Sequence, residues 1–550
     1  MPTVSPRPLA GGAAVVVAMA AARPVLAAPP PEVRAEAAKA SVEAPVQPER
    51  PDPGSGFTFL GLMQTRAITS NVIPTNPVLD GQIIGVLGGT NLTSVLPEDG
   101  ELDLDGDGEP DEDQGATGVV EQRMTAFLTY APPVYDGELS FTAGFEVDFN
   151  WGDRSYGTGG NTGGGIGADM VNLQTRRLHA TYRKKLGPRH DLEVVSGLQF
   201  VGGSVHNPAR AQPDDLFRSG AGISIMGTEA AGVTAYGRIH DSWGDRFRYK
   251  AGVYTLLEQG SARVDDATLL QLDIAAQPEF AWWLGLHAWA LQDRTHGTAG
   301  ALGSGPSGAL SELQGGPRLD FRVGDQEVNP WVDGDFAWVM GDVGYNHRLD
   351  RGPMGFSALA GANVGKIYVK DQLDVPVRGW FTDGEFRVRY APGQASVARL
   401  GWLATSRDGN GRDAYTGVLT ANQYGVVGAV YATHGCLLLF PDPMSINRMA
   451  AVVGDISNRG LGVRALTGSV GYSIVPGKLD TQVGGGHAID GLGSNMGTEL
   501  NGRLTAHPWL FTNLSVAGAK VVNSELRGLD DKPLPDDPWT IIVSMDNLFF

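Results

Sequence analysis

Between Leu139 and Trp151 every second residue is apolar: Leu139, Phe141, Ala143, Phe145, Val147, Phe149 and Trp151. The residues between them, Ser140, Thr142, Gly144, Glu146, Asp148 and Asn150, are small, polar or acidic. A period of two means an extended strand with one oily and one wet face. Strands of soluble sandwiches average about 5–6 residues, whereas a bilayer-crossing strand needs roughly 9–11 plus interfacial ends. The length of this run and its terminal Trp151 point to a transmembrane β-strand ending in an interfacial aromatic belt. A long strand of a soluble sandwich is the other reading of one such segment.

The rest of the chain favours the membrane. Arg7 precedes the apolar, small-residue run Leu9–Ala22, and Val25-Leu26-Ala27 offers small side chains for cleavage, so residues 1–27 read as a secretory signal peptide. Residues 28–56 are rich in Ala, Pro and Glu and carry Pro29-Pro30-Pro31, a composition expected to form a disordered periplasmic linker. No later segment has the ~18 consecutive apolar residues of a spanning helix. At the other end, Trp539–Phe550 reads as a strand closing on an aromatic residue, as outer-membrane barrels do. Trp539, Ile541, Val543, Met545 and Phe549 share one parity and Phe550 the other, so a bulge near Asn547 is expected to reconcile the two registers.

Alternation returns along residues 57–550. Phe247, Tyr249, Ala251 and Val253 enclose Arg248, Lys250 and Gly252; Leu319, Phe321 and Val323 enclose Asp320 and Arg322, with Arg318 preceding. Phe386, Val388 and Tyr390 interleave with Glu385, Arg387 and Arg389, while Leu500, Gly502 and Leu504 interleave with Glu499, Asn501 and Arg503. Trp282, Leu284 and Leu286 form another apolar face after Phe280. Turn signals such as Gly187-Pro188, Ala391-Pro392-Gly393 and Pro476-Gly477 alternate with long Gly-rich connections. This rhythm predicts an all-β chain, a transmembrane antiparallel β-barrel of roughly 16–20 strands, with ~18 preferred at even parity. In Pro443–Ile456, Met449, Val452 and Val453 fall at helical spacing, which predicts a helix in a loop or a segment folded into the lumen.

Several function classes find no support. A net charge of −19 offers no basic face for nucleic acid. The ten histidines lack metal-site spacing, and Gly157–Gly167 is not followed by the Gly-Lys-Ser/Thr of a phosphate loop. No nucleophile stands beside a base, so no catalytic residue and no enzymatic activity are expected. The lone Cys436 precludes an intramolecular disulfide. The sharpest local motif lies in the acidic loop 97–117, where Asp103, Asp105, Asp107, Asp111 and Asp113 surround Gly106 and Gly108. Alternate carboxylates on a tight loop are the hard oxygen ligands that Ca²⁺ takes, and a solvated acidic loop is the plainer reading. No other cofactor is expected.

Parity places a set of charges on the inward face: Arg177, Arg183, Arg248, Lys250, Arg318, Arg322, Arg387, Arg389, Arg399 and Arg503, against Glu146, Asp148, Asp320, Glu385 and Glu499. The interior therefore leans basic in an acidic chain, as expected of a pore that favours anions. A wall braced by arginine–carboxylate pairs is the competing reading of the same residues.

Two segments carry a family resemblance: Leu173-Gln174-Thr175-Arg176-Arg177-Leu178-His179-Ala180-Thr181-Tyr182, and Met496-Gly497-Thr498-Glu499-Leu500-Asn501. With the signal peptide and linker, they make the chain resemble alginate-export-type outer-membrane barrels. The resemblance implies an 18-stranded channel with an arginine-lined constriction, to which Arg177 and Arg503 correspond. It also implies export of an anionic polysaccharide, with a periplasmic export component as partner, or uptake of a small anion. The expectation is thus a passive channel in the bacterial outer membrane, in contact with its lipid, for an anionic solute or polysaccharide. Its rival is an adhesin, receptor or structural barrel whose loops carry the role, which a lumen plugged by folded-in loops would favour.

Overall fold

The computed structural model describes residues 56–70, 117–135, 138–150, 172–202, 223, 225–241, 244–257, 266–277, 281–296, 322–323, 326–327, 332–346, 349–369, 374–409, 414–421, 432, 434–440, 453, 456–523 and 538–550. The expected signal peptide, nearly all of the linker, and the acidic loop with Asp103, Asp105, Asp107, Asp111 and Asp113 lie outside these residues, as do Arg318 and Asp320.

The first nine strands are β1 (Phe57–Ser70), β2 (Thr117–Tyr130), β3 (Leu139–Asn150), β4 (Asn172–Gly187), β5 (His190–Gly202), β6 (Gly227–Asp241), β7 (Gly244–Leu257), β8 (Ala267–Ala276) and β9 (Trp282–Asp293). A small hairpin, β10 (Arg322–Val323) and β11 (Gln326–Glu327), sits in the following connection. The second half comprises β12 (Val332–Tyr345), β13 (Met354–Val369), β14 (Val375–Arg389), β15 (Val397–Thr405), β16 (Val463–Val475), β17 (Leu479–Asp490), β18 (Asn495–Trp509), β19 (Thr512–Val522) and β20 (Trp539–Phe549).

Apart from the β10–β11 hairpin, each strand pairs antiparallel with its neighbours in sequence, and β9 pairs with β12 across the hairpin. Strand β20 returns to β1, from Gly61↔Phe549 to Ser70↔Thr540, and closes a sheet of 18 strands. Closure matters physically because hydrocarbon cannot satisfy a free N–H or C=O, so a spanning sheet must have no edge. Side chains reinforce the seam: Gln64 donates to Asp546 at 3.1 Å, and the Ser70 hydroxyl to the Trp539 carbonyl at 2.6 Å. The Phe549 ring lies across Gly61, where a Cβ would come within 2.3 Å of it and force the ring to move.

Connections differ at the two ends of the barrel. One end has short turns, including 188–189 and 510–511, and strands at the other end are joined by long connections such as 71–116 and 406–462. Both ends of the sheet, Phe57 and Phe549, fall at the short-turn end. At that end the outward face collects exposed aromatics, among them Phe57, Tyr130, Tyr182, Trp282, Tyr472 and Trp509. Phe57 stacks on Tyr130 with ring centroids 4.6 Å apart, and Trp282 meets Tyr345 at 5.0 Å. Between the ends the outward face is rich in aliphatic side chains, including Leu178, Val253, Leu286, Val364, Leu466 and Val543. Each such side chain left in water forgoes about 1.5–3 kcal/mol of burial. A continuous band of them, edged by aromatics, is the surface of a barrel embedded in a bilayer.

Strand β3 follows its sequence pattern. Phe141 and Phe145 are exposed on the outward face, and Glu146 is buried on the inward one. Two expectations are corrected. Pairing of β20 with β1 runs unbroken through Asn547, so there is no bulge there; Phe550 follows the strand and packs edge-on against Phe511, 5.0 Å between centroids. Of the alternation around Leu319–Val323 only Arg322 and Val323 are described, and they pair with Glu327 and Gln326 in the β10–β11 hairpin rather than with a wall strand; Leu319–Phe321 lie outside the described residues. A pattern of five residues fits a loop hairpin as well as a wall.

Candidate functional site: a strapped lumen lined with charge

Toward the long-connection end the inward faces of β12 to β15 are largely apolar, with Phe336, Trp338, Phe381 and Leu403 buried. They are covered from within by the described residues of the connection 406–462, which lie in the lumen as a strap. Val418, Leu419, Leu439, Phe440, Val453 and Ile456 of the strap join the same core. Burial of Val453 and Ile456 fits the expectation that the end of Pro443–Ile456 folds inward; most of that segment lies outside the described residues.

Polar anchors fix the strap's backbone. The Trp338 indole donates to the Leu419 carbonyl at 2.7 Å, and Leu419 N–H to the Asn363 side chain at 3.1 Å. Tyr415 forms a parallel bridge with Val377, and Ala432 an antiparallel one with Ile223 of the β5–β6 connection. On its other side the strap packs Leu437 and Leu438 against Ile68, Ala517, Val521 and Ile542 on β1, β19 and β20. It thus lies against the wall from β12 round to β1. A cavity of about 250 Å³ stands against the β1–β6 sector, lined by Arg177, His179, Arg183, Phe127, Phe200 and several threonines.

Charges around the lumen fall into groups. Glu146 receives Arg123 at 3.1 Å, the Thr125 hydroxyl at 3.2 Å and the Arg176 guanidinium, whose other nitrogen reaches Glu229 at 3.1 Å. Arg177, buried on the same strand, lies over the Phe200 ring at 5.2 Å. The two adjacent arginines serve one face because β4 bulges there: Gly144 pairs with Arg177 and Phe145 with Thr175, leaving Arg176 extra. Arg183 pairs with Glu193 at 2.9 Å. Lys250 lies 3.5 Å from Asp273, which also accepts from the His287 ring and the Trp289 indole, each at 2.8 Å. His287 reaches Asp342 at 3.2 Å through its second nitrogen. The Asp342 carboxylate lies against Gly285, where a Cβ would come 1.6 Å from its Oδ1 and force it to move.

At the short-turn end of β14 and β15, Arg387 stands directly opposite Arg399, and Arg389 is the next inward residue. Arg387 bonds Glu385, and Arg389 donates to the Leu349 carbonyl at 2.9 Å. Arg399 makes no ion pair among the described residues. Arg248 and Arg503 are half-buried on the inward parity of β7 and β18. Glu499 is buried beneath the strap rather than open to the lumen, and accepts four hydrogen bonds. Asp148 belongs to β3, with its side chain outside the described residues. Arg322, expected on the wall, is on the β10 hairpin instead.

Sequence parity did not single out Arg66 and Glu121, which face each other across β1 and β2 and are both buried. It also passed over the Asp273–His287–Asp342 chain. Inward alternation of Gln64, Arg66 and Ser70, or of Gln271 and Asp273, was the available signal.

No family model matches the sequence, and no curated protein matches it. Among solved structures, it is similar to OccAB1 of Acinetobacter baumannii at 9% identity and TM-score 0.43, covering 90% of this chain and 97% of that one. Pseudomonas aeruginosa OpdK with vanillate matches at 11% identity and TM-score 0.43, over 90% of this chain and 98% of that one. An anion-selective porin from Comamonas acidovorans matches at 11% identity and TM-score 0.38, over 90% and 99%. At these identities and scores the likenesses carry no argument about solute or site. What the chain's own strand pairing establishes is a closed, 18-stranded antiparallel β-barrel.

Proposed function

We propose that the chain is a passive channel of the bacterial outer membrane that favours small anionic solutes. The observation that carries this reading is the inward cluster of Arg387, Arg389 and Arg399, three guanidinium groups on facing strands, with Arg387 bonded to Glu385 and Arg389 to the Leu349 carbonyl. Confined by apolar walls, such a surplus raises the local concentration of anions and replaces part of their hydration. The strap supports a small solute over a polymer, since it occupies lumen that a polysaccharide chain would need. Export of an anionic polysaccharide, with a periplasmic component, is the second reading, resting on the sequence resemblance. A loop-borne adhesin or receptor role is not favoured, because a cavity stays beside the strap against the β1–β6 wall. The same proposal includes Ca²⁺ held by Asp103, Asp105, Asp107, Asp111 and Asp113, whose like charges repel without a cation.

Liposome swelling tests the reading. Vesicles holding the purified chain are expected to swell faster in a small carboxylate than in an amine of equal size, and to exclude oligouronates. Equal rates for carboxylate and amine would remove the anion claim. Swelling in oligouronates would favour the polymer.

A further inference from the structure

Glu499 is spent on the strap. Its Oε1 accepts from Leu437 N–H and from the Asn501 side chain, both at 2.7 Å. Its Oε2 accepts from Leu438 N–H at 2.9 Å and Leu439 N–H at 2.6 Å. Three successive backbone N–H groups converge on one carboxylate, the nest arrangement by which main chain binds an anion. Here the anion is a side chain of the wall. Two neighbouring contacts work in the same direction: Asn501 donates to the Gly435 carbonyl at 3.0 Å, and His434 lies 3.1 Å from Asp383 on β14. Glu499 and Asn501 are two residues apart on β18, so both project inward and grip consecutive parts of the strap.

No strand ladder within this stretch could take over these donors, since Leu437–Phe440 form no regular element. With 1% of its surface exposed, the carboxylate is out of reach as a site for passing solute.

We propose that Glu499 is a positioning residue, a latch that clamps the Leu437–Leu439 backbone to β18 and so sets the free bore of the lumen. The latch determines the size of what passes, whereas the arginines determine its sign, so the two can fail separately. It does not rest on the anion reading.

Cys436, the chain's single cysteine, reports on the latch directly because it lies next to Leu437 and is buried. Burial also pushes its thiol well above the ordinary range, with the nearby Glu499 charge adding to the effect. In the purified full chain, a bulky hydrophilic maleimide is expected to label native Cys436 slowly. Glu499→Ala, and also Glu499→Gln, whose amide turns a donor toward N–H groups, are expected to label at least tenfold faster and to show larger single-channel conductance. Heat-shift mobility on a gel verifies that each barrel is closed. Should the wall variants fail to assemble, Leu437→Pro removes one latched N–H from the strap side, with Leu437→Ala as its side-chain control. Faster labelling in the proline variant than in the alanine one would support the latch. Labelling and conductance as in the native protein, in closed barrels, would overturn it. So would a changed reversal potential with unchanged labelling, which would make Glu499 a lumen charge only.

Discussion

Arg176 and Arg177 are adjacent, and strict alternation would send one of them into lipid. The bulge opposite Gly144 and Phe145 spares both, placing Arg176 on Glu146 and Glu229 and Arg177 over Phe200. Charges this deep are tolerated because they are paired; an unpaired ion in such a place is expensive. Glu146→Ala should therefore destabilise the barrel by about 3 kcal/mol, because it removes a buried carboxylate shared by Arg123, Arg176 and Thr125 at once. Urea unfolding in lipid vesicles checks this, and a loss below about 0.5 kcal/mol would mean that the cluster is solvated and contributes little. Parity alone could place Arg177, Lys250 and Arg387 on the inward face. It could not foresee that Lys250 would meet Asp273, since cross-strand pairing depends on which strands stand beside one another, whereas Glu385 and Arg387 share the inward face of one strand and were readable together.

Strands were legible where alternation is long. In β3, β7, β9, β14 and β18 members of the outward apolar set read from sequence are exposed in the barrel, among them Phe145, Val253, Leu286, Phe386 and Leu500. The short alternation ending at Arg322 and Val323 misled, because these two residues pair in a hairpin rather than in the wall. The strap was nearly invisible. Leu437-Leu438-Leu439-Phe440 reads as an apolar run, and its place in the lumen is fixed by distant partners, Glu499 and the β12–β15 wall. The β1–β2 connection has a sequence-level prediction of its own. If Ca²⁺ screens Asp103 to Asp113, chelation should speed proteolysis within that acidic segment while the heat-shift of the barrel stays the same. Equal cleavage with and without chelator would dismiss the cation.

For the molecule as a whole, three features combine: a closed sheet, an apolar outer band with an aromatic edge, and a lumen narrowed on one side by a clamped strap. A net charge of −19 coexists with guanidinium groups concentrated inward, so overall charge and lumen charge need not share a sign. The reversal potential of the pure chain in a planar bilayer under a salt gradient tests the central claim most directly. The native channel should favour anions, most strongly at low salt, since the Debye length shortens to about 10 Å at 0.1 M. Arg387→Gln combined with Arg399→Gln should move the potential toward cations. Native cation preference, or no movement on removing the two arginines, would contradict the account and leave them as braces of the wall.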